Sequence, residues 1–237
     1  MQLFYCDDFT LPLPDGHRFP MTKYARLRER ILQEGIATEV DMHVPPAVTD
    51  VQIASCHNEA YLHKVKHGFL TEREIRRIGF PWSPDLVERS RRSAGGTTAA
   101  CYAALREGAA VNLAGGTHHA CPDHGEGFCV FNDAAIAART LQDDGTVERV
   151  LIVDLDVHQG NGTAAVTAGD DTIFTLSVHG EKNYPFRKVP SDIDVGLANG
   201  IGDVAYLAAV RDALPQAIPD EGVGPGDEDR EVRLSAV

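Results

Sequence analysis

Two acids and a histidine stand at alternate positions near the middle of the chain. Asp154, Asp156 and His158 come at the end of an apolar run. Side chains alternate across a β-strand, so we predict that these three leave one face while Leu155 and Val157 leave the other. Carboxylate and imidazole groups bind zinc, and ligands bind at strand ends in open parallel α/β sheets. Turn capping alone would not explain the alternation, so the spacing predicts a metal site.

An adjacent pair of histidines forms a second group of residues that could take part in catalysis. His118 and His119 follow a double glycine and residues 109–114, which we predict to be a buried strand. Histidine is the most frequent general base near neutral pH, and two histidines can divide the removal and the donation of a proton. Taken alone, the pair fits a solvated loop equally well.

Together the two groups predict hydrolysis of an amide with the help of a metal. A zinc ion on Asp156 and His158 would polarise a carbonyl and lower the pKa of a bound water from 15.7 toward about 7. His118 and His119 would then move the protons. We predict that Asp154 orients an imidazole, because a carboxylate behind a histidine favours its charged form.

The surrounding sequence alternates strands and helices. Helices are predicted over residues 22–34, 83–105 and 132–142, and a strand over residues 172–178. Two glycines at 95–96 would weaken the second helix unless another backbone approaches closely there. This order predicts an α/β protein with a parallel sheet covered on both faces.

These motifs, in this order, resemble the zinc-dependent histone deacetylase family, particularly its bacterial members. The resemblance runs from about residue 3 to about residue 218. It is carried by Gly115-Gly116-Thr117-His118-His119, by residues 127–133 (Gly-Phe-Cys-Val-Phe-Asn-Asp), by residues 153–163 (Val-Asp-Leu-Asp-Val-His-Gln-Gly-Asn-Gly-Thr), and by the segments 17–21 and 57–62. It implies the three-layer arginase/deacetylase-like fold with a central parallel sheet.

The resemblance also implies roles for the matching residues. Asp156 and His158 would ligate one catalytic zinc ion. His118 and His119 would form the acid/base pair, with Asp154 hydrogen-bonded to the first of them.

Further roles follow from the same resemblance. Asn161 stands where many members have an Asp behind the second histidine, so we expect a less basic His119. Gly127, Phe128 and Phe186 would line the channel that holds the acyl-lysine stem. A monovalent cation such as K⁺ would bind near Asp154, Asp156, His158, Ser177 and Val178.

Two parts of the family pattern do not occur in this sequence. One is the Asn-Ala-Gly-Val-Asp-like segment that carries the third zinc ligand, and the other is the Gly-Gly-Gly-Tyr motif whose tyrosine binds the substrate carbonyl. We predict a deacetylase-like domain over residues 1–218 that lacks the C-terminal strands, and a disordered acidic tail over 219–237. A truncated or frameshifted deacetylase explains this better than a substitute ligand from Asp192, Asp194 or Asp203, for which turn and cap roles suffice.

Composition is consistent with a cytoplasmic enzyme of one domain. The net charge of -13 over 237 residues argues against a nucleic-acid partner and suits a cationic substrate. Five cysteines without a Cys-x-x-Cys pair predict reduced thiols. The sequence has no signal-peptide pattern and no run approaching the roughly 20 apolar residues of a membrane span, so we expect no membrane partner.

Three functions remain open from the sequence. The leading one is a zinc-dependent deacylase acting on an acetylated lysine peptide or an acylated polyamine, with impaired activity in this chain. The second is a truncated remnant or binding module without catalysis. A dimanganese ureohydrolase-type enzyme is disfavoured, because it would need more bridging carboxylates than one Asp-x-Asp pair supplies.

Overall fold

The computed structural model describes residues 1–218 and the backbone of residues 231–236, and its strands form two parallel sheets. The smaller sheet consists of β1 (Gln2–Phe4), β2 (Met42–His43) and β3 (Ala110–Asn112), in the order β2-β1-β3. The larger sheet consists of β4 (Arg149–Asp154), β5 (Ile173–Gly180), β6 (Ile193–Leu197) and β7 (Glu231–Ala236), in the order β6-β5-β4-β7.

The α-helices of the described residues connect and cover these strands. They are α1 (Lys23–Gln33), α2 (Asp50–Ala54), α3 (Glu59–His67), α4 (Glu72–Ile78), α5 (Pro84–Glu107), α6 (Asp133–Asp143), α7 (Asn161–Thr167) and α8 (Asp203–Ala217). The predicted helices correspond to α1, α5 and α6 and are confirmed. Within the described residues, no helix is both long and apolar enough to span a membrane.

The larger sheet is covered on both faces. Val150 and Ile152 of β4 pack with Leu141 of α6 on one face. Val153 of the same strand packs with Ala213 of α8 on the other face. Successive side chains of a strand point to opposite faces, so one apolar run serves two helical layers, and the predicted three-layer α/β arrangement is confirmed.

The glycine pair inside α5 marks a close approach of backbones, as predicted. A Cβ atom on Gly95 would lie 1.8 Å from the carbonyl oxygen of Pro46. A Cβ atom on Gly96 would lie 2.7 Å from Oδ1 of Asn112, the last residue of β3. Glycine therefore lets α5 lie against the connection after β2 and against the smaller sheet.

Two predictions about strands were wrong. β3 is not a buried strand, because Val111 is 38% exposed. β4 ends at Asp154, so Asp156 and His158 lie in a loop and not on a strand face. The cause is local: Asp154 Oδ1 accepts the backbone N–H of Asp156 at 3.0 Å, and Asp156 Oδ1 accepts that of His158 at 2.7 Å. Such side-chain acceptors compete with the ladder of a sheet.

The predicted tail falls largely outside the described residues, which exclude 219–230 and 237. Residues 231–236 form β7, which runs parallel to β4 with Glu231 opposite Arg149 and Ala236 opposite Asp154. At these six positions the structure has a strand where the sequence predicted a tail. The segment Glu-Val-Arg-Leu-Ser-Ala alternates polar and apolar residues, a strand pattern that the tail's composition obscured.

Candidate functional site

The loop that carries the histidine pair is fixed to the first residue of α6. Asp133 Oδ1 accepts hydrogen bonds from the backbone N–H and the hydroxyl of Thr117, at 2.7 and 2.6 Å. Asp133 Oδ2 accepts the N–H of Gly116 at 3.0 Å and the hydroxyl of Thr97 at 2.5 Å. These contacts hold the chain immediately before the two histidines. The sequence reasoning assigned no role to Asp133.

The structure brings both histidines together with their expected partners. His118 Nδ1 donates to Asp154 Oδ2 at 2.6 Å, and His119 Nδ1 donates to Asn161 Oδ1 at 2.7 Å. The ring centroids are 4.1 Å apart, and the two residues are only 6% and 4% exposed. Carboxylate and amide oxygens only accept hydrogen bonds, so Nδ1 carries the proton in both rings. The Nε2 atom of a neutral ring is then free to take a proton.

A chain of hydrogen bonds extends behind His119. Asn161 Nδ2 donates to Glu126 Oε1 at 2.6 Å. Arg77 donates to Glu126 Oε2 from Nε and Nη2, each at 2.8 Å. The carboxylate thereby fixes which side of the Asn161 amide faces His119. Sequence reasoning missed Glu126, for which an acid between two glycines in the histidine loop was the only cue.

The two imidazoles have opposite pKa shifts. Burial acts to lower the pKa of His118, but the hydrogen bond and charge of Asp154 outweigh it, and the pKa is raised above its usual value. Burial and the neighbouring His118 lower the pKa of His119 to about 4, and the hydrogen bond that His119 donates to Asn161 offsets this only in part. The shifts make His118 the more basic ring and His119 the less basic one.

The metal-ligand candidates lie together in the loop after β4. His158 Nδ1 donates to Asp156 Oδ1 at 2.9 Å, and the side chains are 40% and 34% exposed. The ring of His119 lies 5.8 Å from that of His158. One carboxylate and one imidazole are donors that zinc prefers. These two residues therefore fit part of a zinc site, and no third ligand joins them among the described residues.

The three substitute acids are engaged elsewhere. Asp192 Oδ2 accepts the N–H and the hydroxyl of Thr175, both at 2.7 Å. Asp194 Oδ1 accepts Nε2 of Gln159 at 2.7 Å. Asp203 is an exposed residue in the first turn of α8. Asp192 thus lies just before β6, Asp194 within β6 and Asp203 at the start of α8, and none of them joins Asp156 and His158 as a third ligand among the described residues.

Of the predicted channel residues on the histidine loop, Gly127 lies against the ring of His119. Gly127 has a positive φ of 58°, and a Cβ atom there would lie 2.6 Å from Cδ2 of His119. Only glycine allows this contact without displacement. Phe128 packs in an aromatic cluster, with ring centroids 5.0 Å from Phe19 and 5.2 Å from Phe80.

The structure does not place Phe186 beside the histidines. Its side chain is 90% exposed, and its ring packs edge-on against Tyr184 at 6.5 Å. Tyr184 is the aromatic residue of this loop that faces the site, at 5.0 Å from the ring of His119 and 6.1 Å from that of His158. Phe186 was expected from the family resemblance, and the tyrosine two positions earlier offers a similar apolar ring face.

The positions expected for a monovalent cation cluster at the end of β4. Asp154 lies directly opposite Ser177 in the register of β4 and β5. Asp156 and His158 follow in the loop, and Val178 is the next residue of β5. Cation binding at these positions stays a prediction.

Sequence comparisons identify similar proteins. A family model described as the histone deacetylase domain matches residues 17–220. An uncharacterized protein of Picosynechococcus sp. is 43% identical over 91% of this chain. A histone deacetylase-like amidohydrolase of Pseudomonas aeruginosa is 32% identical over 84% of the chain, and histone deacetylase 2 of Arabidopsis thaliana is 29% identical over 85%.

The chain is shorter than these relatives. It spans 73% of the Picosynechococcus protein, 56% of the Pseudomonas protein and 54% of the Arabidopsis protein. Among solved structures, an HDAC homologue from Aquifex aeolicus superposes on 99% of this chain with a TM-score of 0.79 and 21% identity, and the chain covers 67% of it. An HDAC homologue complexed with SAHA gives the same values. The predicted fold class is confirmed.

Proposed function

Since this chain belongs to the histone deacetylase family, we propose that its site hydrolyses the amide bond of an N-acyl-lysine or a related acylated amine. Members of this family are hydrolytic deacetylases and deacetylase-like amidohydrolases. The observation that carries the proposal is the pair of buried histidines with different partners, one held by a carboxylate and the other by an amide.

The two rings divide the proton transfers. His119, neutral at Nε2, accepts the proton of the attacking water as the new carbon–oxygen bond forms. The carbon–nitrogen bond then breaks, and the leaving amine receives a proton from charged His118. The opposite pKa shifts support this division, because a base must be neutral and an acid protonated at the start of the reaction.

Asp156 and His158 would hold a zinc ion, which when bound supplies a Lewis acid for the carbonyl oxygen and lowers the pKa of a water. Tyr184 provides an apolar ring face beside His119, and Phe128 follows Gly127 and packs against Phe80; we assign to both the contact with the substrate stem. Asp154 raises the pKa of the first histidine and so favours its charged form, and the amide of Asn161 keeps the second one in the tautomer that accepts at Nε2.

The substrate class follows from charge. The net charge of -13 favours a cationic carrier such as a lysine-rich peptide or a polyamine. All five cysteines lie in the described residues, and none forms a disulfide. The lack of a disulfide among the described residues supports a cytoplasmic location.

A second candidate function is binding without catalysis. The observation that favours it is the two-ligand set of Asp156 and His158, which no other described residue completes. A site of this kind would bind zinc weakly.

Turnover of a fluorogenic acetyl-lysine peptide by the purified chain in the presence of zinc tests the proposal. His119→Ala should lower turnover about 100-fold to 10,000-fold, the usual contribution of a positioned acid or base. The matched control is His63→Ala, an exposed histidine of α3, which should leave turnover unchanged. Equal turnover by the wild type and His119→Ala would contradict the assigned base. Zinc binding by the wild type without turnover would favour the binding module.

A further inference from the structure

A second group of metal-ligand side chains lies in the histidine loop. Cys121, His124 and Glu126 follow a Cys-x-x-His-x-Glu spacing, and one ligand atom from each lies within 4.8 Å of the other two. The first two residues form an isolated antiparallel bridge, in which the N–H of Cys121 donates to the carbonyl of His124 at 2.9 Å. The bridge closes a tight turn and holds both side chains in one place.

The state of His124 points independently to a ligand. Its Nδ1 donates to Asp123 Oδ1 at 2.5 Å, so in the neutral ring the lone pair of Nε2 is free. That Nε2 is a buried atom without a hydrogen-bond partner among the described residues, and it lies 3.9 Å from Glu126 Oε2. Buried polar atoms are nearly always paired. A histidine whose other nitrogen is held by a carboxylate is the usual arrangement of a metal ligand.

We infer that Cys121 Sγ, His124 Nε2 and Glu126 Oε2 bind one divalent ion of the zinc type, separate from the ion expected on Asp156 and His158. Thiolate, imidazole and carboxylate together select zinc or cobalt over magnesium or calcium. Ligand bonds of about 2.0 to 2.3 Å require the three atoms to close in by roughly 1 Å at most. A water molecule would fill the fourth tetrahedral position.

Binding at this site has a defined balance of protons and charge. The Cys121 S–H bond breaks, an S–metal bond forms, and one proton passes to the solvent. Arg77 already donates to Glu126 Oε2, so the guanidinium and the ion share the oxygens of one carboxylate. Glu126 also accepts a hydrogen bond from the Asn161 amide. An ion bound here would therefore be connected, through the Glu126 carboxylate, to the amide that His119 contacts.

Cobalt titration tests the inference, because the site contains sulfur and the pair Asp156 and His158 does not. Co²⁺ is added to the full chain after chelation, with far-ultraviolet circular dichroism to verify that the chain stays folded. We expect a thiolate-to-cobalt charge-transfer band in the near ultraviolet that saturates at one equivalent for this site. The test is independent of amide hydrolysis.

Matched cysteine variants assign the band. Cys121→Ala should abolish it, and Cys129→Ala, a buried cysteine of the same loop, should keep it. His124→Ala retains the thiol and should bind Co²⁺ at least about 10-fold more weakly, and Asp123→Asn should weaken binding about 10-fold as the loss of an orienting carboxylate does. No band in the folded wild type, or an unchanged band in Cys121→Ala, would overturn the inference.

Discussion

At the scale of single residues, the chemistry of the histidine pair is set by what lies behind each ring. Asp154 behind His118 raises the pKa of that ring, whereas burial and the neighbouring His118 lower the pKa of His119 to about 4, which the amide behind it offsets only in part. The Asn161 amide can serve this purpose only in one orientation, and Glu126 fixes that orientation by accepting its N–H group. We therefore regard Glu126 as a positioning residue that acts through Asn161.

Substitution of Glu126 tests this positioning. Glu126→Leu removes the acceptor of the Asn161 amide, and we expect kcat to fall about 10-fold to 100-fold with little change in KM, as for other residues that orient a catalytic group. Glu126→Gln retains an oxygen acceptor and should restore most of kcat. The loss of the Glu126 charge should also move the acid limb of the pH profile to lower pH, because that charge raises the pKa of His119. Equal activity of the Leu variant and the wild type would contradict the role.

At the scale of elements, the loop between β3 and α6 is held from outside by a neutral histidine. His57 Nδ1 donates to the carbonyl of Cys121 at 2.8 Å, and its Nε2 accepts the N–H of Asn132 at 2.9 Å. A carbonyl only accepts and an N–H only donates, so this geometry requires the neutral ring. Burial lowers the pKa of His57 to about 4.

Acid should therefore destabilise the fold through His57. The folded pKa of about 4 lies below the reference value of 6.5, so the stabilisation is complete above pH 6.5 and is lost as the pH falls toward 4. The loss amounts to about 3 kcal/mol at most, from 1.36 kcal/mol per pKa unit. Urea denaturation at pH 7 and pH 4.5 measures it. His57→Gln should show a shallower pH dependence, whereas the exposed control His63→Gln should match the wild type; identical slopes in all three would refute the assignment.

The contact of α5 with the connection after β2 yields a second prediction at this scale. Gly95→Ala would put a methyl group 1.8 Å from the backbone oxygen of Pro46. Backbone atoms cannot yield as a flexible side chain does, so we expect a loss of roughly 1 to 3 kcal/mol in unfolding free energy.

Gly202→Ala is the control for Gly95→Ala. A Cβ atom at Gly202 meets no atom within 4 Å, and its φ of -99° is open to any residue. Its urea midpoint should stay close to the wild-type value. If the Gly95 variant were equally stable, the close approach of the two backbones would be disproved.

At the scale of the whole molecule, the fold could be predicted because each strand and helix has its own local pattern of apolar residues in the sequence, and these elements alternate along the chain. The histidine pair was visible because its members are adjacent in the sequence, but the end of β4 at Asp154 was not predicted. Glu126 and Arg77 were also not predicted, because their contact joins residues 49 positions apart in the chain. That Tyr184 and not Phe186 faces the histidines could not be predicted either, because it depends on the path of the loop, which residue types do not determine.

The net charge should affect substrate binding. With a net charge of -13, the molecule should attract a cationic substrate electrostatically, and added salt should screen this attraction. We expect KM for a lysine-rich acetylated peptide to rise as ionic strength increases from about 0.05 to about 0.5 M, whereas KM for an uncharged acetyl-lysine derivative stays constant. A KM that depends equally on salt for both substrates would exclude electrostatic attraction of the substrate.

The central claim is that this chain carries a metal-dependent amide hydrolase site, and acetate release from an acetyl-lysine peptide tests it most directly. The chain is assayed as purified, after chelation, and after zinc is returned. We predict that turnover disappears with chelation and returns with zinc in the wild type, but does not return in His158→Ala. Absence of acetate release by the folded wild type at every zinc concentration would contradict the claim.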